Sequence, residues 1–380
     1  MTPRRSRGRR FVLVAAVTVS LVLAALFLGG CSSTATHNGQ NPLEPKGQAA
    51  DKINNLFWPI AIIAVIVGIL VIGATVFFAL KFRYRVGKNE NPRQIHGNTK
   101  LEIGWTILPA VLLMAIAVPT IATIFDLAKD PGSNALQVTV TGKQWWWQFQ
   151  YDDAKVATAD ELVIPTGRKV QLHLTACQAG QCNVIHSFWV PELNGKRDVV
   201  PGHNNELTIE ADKPGTFLGQ CAEYCGLSHA NMRFRVIAKS PADFDSWVSD
   251  QQQGPVQPLL GSDGKTPSGD AQQLIATKYQ CTNCHVLDDS SKVAYGPNLT
   301  HLASRSTFAS GYYQLDRKNL IQWILDAPSM IPMESADCRL PVGQGVCTGM
   351  PSFTKNTPKG QPTMTRTEAE RIADFLLEQK

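Results

Sequence analysis

Two cysteines, a histidine and a methionine are crowded into the stretch "CAEYCGLSHANM", at Cys221, Cys225, His229 and Met232. A further histidine, His186, lies upstream in "NVIHSFWVPEL". Thiolate, imidazole and thioether are soft or borderline donors, and such a set binds a metal. Zinc held by two cysteines and two histidines is one reading. The spacing does not resemble a zinc finger, however, and zinc has no use for the methionine. Thiolate, imidazole and thioether together favour copper. A single blue-copper site needs one thiolate, and here there are two. Two thiolates can bridge two copper ions, giving each ion two sulfurs and one imidazole. Met232 and a backbone carbonyl would then be weak outer ligands.

A second constellation lies further on. "QLIATKYQCTNCHVL" holds Cys281, Cys284 and His285 in a C-x-x-C-H run, the attachment motif of c-type haem. The thiols would form thioethers to the haem vinyls, and His285 would be the proximal iron ligand. A methionine opposite would raise the reduction potential. Met330, Met333, Met350 and Met364 are candidates, and "GMPSF" puts Met350 in a Met-Pro step before the last helix, where c-type cytochromes commonly carry the ligand. "YGPNL" resembles the cytochrome loop whose proline packs on the proximal histidine, which makes Pro297 a haem-pocket residue. The helix "TRTEAERIADFLLEQK" follows, with Thr367 and Glu370 fitting a capping box and Ile372, Phe375 and Leu376 at helical spacing.

The elements that position these groups are also readable. A chain of 380 residues suggests two or three domains. Its formal charge of +5 rests on five arginines among the first ten residues, so a nucleic-acid partner has no electrostatic support. The basic start and the apolar run after it have the pattern of an export signal, residues 1–30. That run ends "LGGC" and resembles a bacterial lipoprotein signal, which implies cleavage and lipid on Cys31. A polar segment, 31–56, leads into a transmembrane helix hairpin, 57–126, with spans at about 57–80 and 103–125. Lys81, Arg83, Arg85, Lys88, Arg93 and Lys100 between the spans put that loop in the cytoplasm and everything after about residue 126 outside. Residues 135–249 alternate as short strands between turn signals and read as an all-β sandwich. A Gln/Gly/Pro/Ser-rich linker, 250–270, precedes a haem domain, 271–380.

The hairpin, "IHSFWVPEL" and "CAEYCGLSHANM" together resemble subunit II of haem-copper cytochrome c oxidase over roughly residues 50–240. The fold class implied is multidomain: a two-helix membrane hairpin, a cupredoxin-like sandwich and an all-α class I cytochrome c domain. The resemblance implies that Cys221 and Cys225 bridge the binuclear copper centre CuA and that His186 and His229 ligate one copper each. Met232 and the Glu223 carbonyl complete the set, and the Glu223 side chain reaches a magnesium ion at the subunit I interface. In "GKQWWWQFQY" it makes Trp145 the exposed point where electrons arrive, although Trp146 stands where the family often has tyrosine. Glu102 matches a glutamate near the mouth of a proton pathway, against the plainer reading of a helix cap.

The fused haem resembles the caa-type oxidases. Electrons would come from cytochrome c or the cytochrome bc complex, and oxygen reduction and proton pumping belong to subunit I, with subunit III also in the complex. The implied location is the bacterial cytoplasmic membrane, with both redox domains on the outer face. Eight histidines in total are too few for a nitrous oxide reductase, and a quinol oxidase subunit is expected to lack the copper ligands. Cys177 and Cys182 flank a loop longer than the family's, and with the copper set full an oxidising compartment favours a disulfide between them. Cys338 and Cys347, in a Gly/Pro loop before Met350, are expected to form another.

Overall fold

The structure is a computed structural model that describes residues 39–83, 94, 96–178, 181–182, 184–333, 349–354 and 362–380. Cys31, Cys338 and Cys347 lie outside these residues. Two long apolar helices come first, α1 (Gln48–Lys81, 34 residues) and α2 (Thr99–Leu127, 29 residues), each long enough to cross a bilayer. Both extend beyond the apolar blocks that reveal them. The extra turns of α1 belong to the outer domain. Ala50 is buried, and the preceding chain is stitched to the sandwich by Lys46 N to Glu192 O (2.8 Å) and Asp212 N to Lys46 O (3.0 Å). At α2 the cap is Asn98, whose side chain accepts from the amides of Lys100 and Leu101. Glu102 sits in the first turn without capping it.

Twelve strands follow, of which ten form two five-stranded sheets. The first contains β1 (Leu136–Lys143), β2 (Trp146–Tyr151), β3 (Val156–Ala159), β5 (Val170–Thr175) and β10 (Asn205–Ile209), in the order β10-β5-β1-β2-β3. The second contains β4 (Glu161–Pro165), β8 (His186–Trp189), β9 (Arg197–Val199), β11 (Gly215–Cys221) and β12 (Arg233–Lys239), in the order β4-β12-β11-β8-β9. The other two, β6 (Cys177–Gln178) and β7 (Gln181–Cys182), make a small hairpin in which Cys177 and Cys182 are backbone partners.

Aromatic residues from both sheets fill the space between them. Phe188 and Phe234 stack at 4.5 Å, and Trp147 meets both rings edge-on. Each such side chain, fully buried, contributes about 1.5–3 kcal/mol. The sandwich ends in a helix, α3 (Pro241–Gln251), where the sequence gives no strand pattern. Its Trp247 packs on Tyr151 at 5.2 Å.

Residues 250–270 are less free than a polar linker composition implies. Leu259 is buried in the core of the C-terminal region, and Gln252 Nε2 donates to Ala154 O at 2.8 Å. The C-terminal region carries the helices α4 (Asp270–Gln273), continued by one wide turn over Leu274–Lys278, then α5 (Arg317–Met330) and α6 (Arg366–Leu377), with irregular chain between them. A short hairpin, β13 (Thr307–Phe308) and β14 (Tyr313–Gln314), interrupts the helices. Ile372, Phe375 and Leu376 are buried as the helical spacing predicts. The capping box of α6 lies two residues earlier than Thr367 and Glu370: it is made by Thr365 and Glu368. Glu368 is drawn there because it also accepts from Tyr279 Oη (2.9 Å) and pairs with Lys278.

Candidate metal centre and adjoining cavity

His186 opens β8 and Cys221 closes its neighbour β11, so the sheet itself brings the first imidazole to the first thiol. The loop after β11 then returns Cys225, His229 and Met232 to the same point. Cys221 Sγ and Cys225 Sγ are 3.8 Å apart. Nδ1 of His186 lies 3.8 Å from the Cys221 sulfur, and Nδ1 of His229 lies 3.5 Å from the Cys225 sulfur. A weak donor stands beside each: the Glu223 carbonyl 3.2 Å from Cys221 Sγ, and Met232 Sδ 3.8 Å from Cys225 Sγ. The arrangement is nearly symmetric, with two sulfurs in the middle, one imidazole nitrogen on each side and one weak donor per side. It fits two soft ions bridged by two thiolates.

Burial supports that fit. Cys221, Cys225, His186 and Met232 are all buried, while the Glu223 side chain is exposed. Contacts with Cys225, His186 and the neighbouring backbone hold the Cys221 thiol well below the usual thiol range, so it is a ready metal ligand. Cys225 is pushed up by that same partner and by burial, as expected when two close sulfurs share a proton. Two glycines make room. A Cβ on Gly142, in β1, would meet His186 Cδ2 at 2.8 Å. A Cβ on Gly226, whose φ is +111°, would meet Gln144 Nε2 at 3.1 Å and the Trp145 ring at 3.2 Å.

Trp145 lies in the turn between β1 and β2 and is only 8% exposed, not the open ring that the resemblance implies. The C-terminal region covers it. Its Nε1 donates to the Cys225 carbonyl at 3.0 Å, and Gln144 Nε2 donates to the same oxygen at 2.9 Å.

Trp145 also lines a cavity of about 610 Å³. That is ample for an organic cofactor, whose pockets span roughly 300–1,000 Å³. Cys281, Cys284, His285, Pro297 and Met350 line it as well. His285 Nδ1 bonds to the Pro297 carbonyl at 2.7 Å, which fixes that nitrogen as the donor and leaves Nε2 for an iron. Gly296 makes the ring's seat, since a Cβ there would meet His285 Cε1 at 2.7 Å.

Burial pushes the Cys281 thiol up to about 12 and raises Cys284 too, so both are neutral thiols, unlike Cys221. Three of the four candidate methionines, Met333, Met350 and Met364, border the cavity, and the Met350 amide donates to Met333 Sδ at 3.2 Å. Sequence reasoning missed Gly142, Gly226, Gln144 and the acidic pair Asp160–Glu161. Only the acids left a signal, as a charged step opening an apolar strand.

Two apolar helices followed by a cupredoxin-like sandwich with a buried His/Cys/Cys cluster define a membrane-anchored protein with an outer domain suited to a redox metal. Comparison with known proteins gives the family. The model for "Cytochrome C oxidase subunit II, transmembrane domain" matches residues 39–123, and the one for "Cytochrome C oxidase subunit II, periplasmic domain" matches residues 154–239. Cytochrome c oxidase subunit 2 of Alkalihalophilus pseudofirmus is 38% identical over 316 residues, covering 82% of this chain and 87% of that protein. Quinol oxidase subunit 2 of Bacillus cereus (strain ATCC 10987 / NRS 248) is 35% identical over 237 residues, covering 60% of this chain and 77% of that protein. Among solved structures, the periplasmic domain of subunit II of the Bradyrhizobium japonicum cytochrome oxidase is 30% identical, covering 32% of this chain and 96% of that chain, with a TM-score of 0.30. The chain belongs to the cytochrome c oxidase subunit II family and is thus a subunit of an oxidoreductase complex.

Proposed function

We propose that this chain holds a binuclear copper centre and one covalently attached c-type haem, and passes electrons from the haem side to the copper side for subunit I. The observation that carries the reading is the position of Trp145. Its indole borders the cavity of Cys281, Cys284 and His285 and is hydrogen-bonded to the Cys225 carbonyl. One side chain therefore touches both candidate sites.

Cys221 and Cys225 would bridge the copper ions, His186 and His229 would bind one each through Nδ1, and Met232 and the Glu223 carbonyl would be the weak ligands. Cys281 and Cys284 would carry the haem thioethers, with His285 and Met350 as axial ligands and Pro297 holding the His285 ring. Bound in these sites, copper and haem supply one-electron redox chemistry. The protein's part is to keep both ligand sets rigid and dry, and to span them with Trp145.

The exposed Glu223 side chain is available to a magnesium ion at the subunit I interface, and Glu102 to a proton pathway into that subunit. Oxygen reduction to water and proton pumping are assigned to subunit I, with subunit III alongside. Cytochrome c or the cytochrome bc complex is the assigned donor. The location is the bacterial cytoplasmic membrane with the redox domains outside, and lipid on Cys31 would add a second anchor.

Metal counting on the purified complex, after allowing for subunit I, tests this. Two coppers and one iron per copy of this chain are expected, with a mixed-valence copper resonance that Cys221→Ser abolishes. A normal mixed-valence signal in that variant would refute the copper assignment.

A further inference from the structure

The sandwich ends on one side in two edge strands, β3 and β4. Sheet edges are usually blunted by charge or left to water. Here every residue of both strands is buried: Val156, Leu162, Val163 and Ile164 lie in the sandwich core, and the C-terminal region bonds to both strands. Ala157 of β3 donates its amide to Ser290 O at 2.7 Å.

Glu161, the first residue of β4, is 3% exposed. Its Oε1 accepts from the amide and hydroxyl of Ser306 (3.1 and 2.6 Å) and from the amide and hydroxyl of Thr307 (2.9 and 2.8 Å). Asp160, just before it, has a left-handed φ of 60°. Its Oδ1 accepts from the Trp147 amide at 2.9 Å, and its Oδ2 from the Ser310 amide at 3.0 Å. The Ser310 hydroxyl donates in turn to the Trp145 carbonyl. Arg305, enclosed beside the cavity, adds favourable charge toward both acids. One loop, residues 305–310, thus grips both the sandwich edge and the backbone that carries Trp145.

We propose that Asp160 and Glu161 are positioning residues: together they latch the C-terminal domain onto the β3–β4 edge and hold the Cys281/Cys284/His285 cavity against Trp145. The electron-transfer consequence rests on the two-centre reading above, but the latch itself does not. Burying two neighbouring acids is costly unless they are fully hydrogen-bonded, and the C-terminal loop supplies most of those bonds. The latched domain therefore delivers electrons from one fixed seat, without an excursion on its linker.

The test uses Glu161→Ala in the full membrane complex. Amide hydrogen exchange over residues 304–310 reads the latch whatever cofactors are bound. These amides are protected in the parent protein and exchange about tenfold faster or more in the variant, the factor that about 1.4 kcal/mol of lost docking gives. Transient absorption reads the consequence: haem-to-copper transfer slows and becomes dependent on solvent viscosity, while copper resonance and haem spectrum stay unchanged. Unchanged exchange in the variant would overturn the latch. Slowed transfer without faster exchange would also count against it. Lack of copper and haem in the parent complex would defeat the two-centre reading and leave the exchange result to decide the latch. If Glu161→Ala does not assemble, the double variant Ser306→Ala/Thr307→Val removes the two hydroxyl bonds from the other side, leaves the two amide bonds, and is judged by the same readouts with a smaller rise in exchange.

Discussion

A methyl group at Gly142 tests whether strand β1 sets the position of the His186 ring, a proposed copper ligand. The added Cβ would lie 2.8 Å from Cδ2, 3.0 Å from Cγ and 3.3 Å from Cβ of His186. Carbon atoms in good contact sit about 3.5–4.0 Å apart, so the pair must separate by several tenths of an ångström. Rotating the imidazole cannot provide this, because the contact reaches the root of the ring. The other side is closed as well: His186 is 0% exposed, and Trp147 packs against it edge-on at 5.8 Å. Gly142 lies within strand β1 and has no positive φ, so backbone strain does not enter.

Overpacking of this kind costs about 1–3 kcal/mol. Strain relieved by moving the ring appears as weaker copper binding, tenfold for each 1.4 kcal/mol or so. Strain that is not relieved appears as lower stability of the metal-free protein. Gly142→Ala is therefore expected to shift the copper hyperfine pattern, lower copper affinity and reduce the denaturant midpoint, with the two losses together near that total. Copper titration and denaturant unfolding of the copper-free and copper-loaded complex measure them separately. Parental affinity, resonance and midpoint together would refute the claim that β1 seats His186.

Three further outcomes are expected. Trp145→Phe removes the Nε1 bond to the Cys225 carbonyl but keeps most of the ring, so haem-to-copper transfer should slow while copper content stays at two, as read by transient absorption. Met350→Ala should turn the haem high-spin and reactive to carbon monoxide, whereas Met333→Ala should not; the reverse result in optical spectra would hand the ligand role to Met333. Burial pushes the Asp160 carboxyl up to about 7, opposed by the amides of Trp147 and Ser310 and by Arg305 and reinforced by Glu161. The folded state then keeps a proton that the open state has lost. Its stabilising effect is complete below the ordinary aspartate value of 3.8 and is lost as pH rises through about 7. Thermal unfolding from pH 5 to 8 should show this loss, and Asp160→Asn should flatten it.

What the sequence made legible was local. The candidate ligands Cys221, Cys225, His229 and Met232 sit in one short loop, and the chemistry of metal binding constrains which types can stand there. His186 and the C-x-x-C-H run were readable for the same reason. The seat of the C-terminal domain was not, because Glu161 and Ser306 are 145 residues apart and a serine in a loop carries no signal. The start of α6 was ambiguous in a different way. Thr365-x-x-Glu368 and Thr367-x-x-Glu370 are overlapping cap patterns, and only tertiary contacts from Lys278 and Tyr279 select the first. The start of α1 was hidden because its first turns are polar and mostly exposed, with only Ala50 buried, so hydropathy does not mark them.

The burial of Trp145 changes how the family pattern is to be understood. An exposed indole suits a soluble donor that arrives by diffusion and leaves again. In this chain the ring lies beneath the C-terminal domain, one hydrogen bond from the Cys225 backbone and on the wall of the Cys281/Cys284/His285 cavity. A diffusing protein cannot reach it without displacing loop 305–310 from Asp160 and Glu161. On the two-centre reading proposed above, an external donor would therefore deliver to the C-terminal domain, and specificity for it would reside on the outer surface of residues 271–380 rather than on the sandwich.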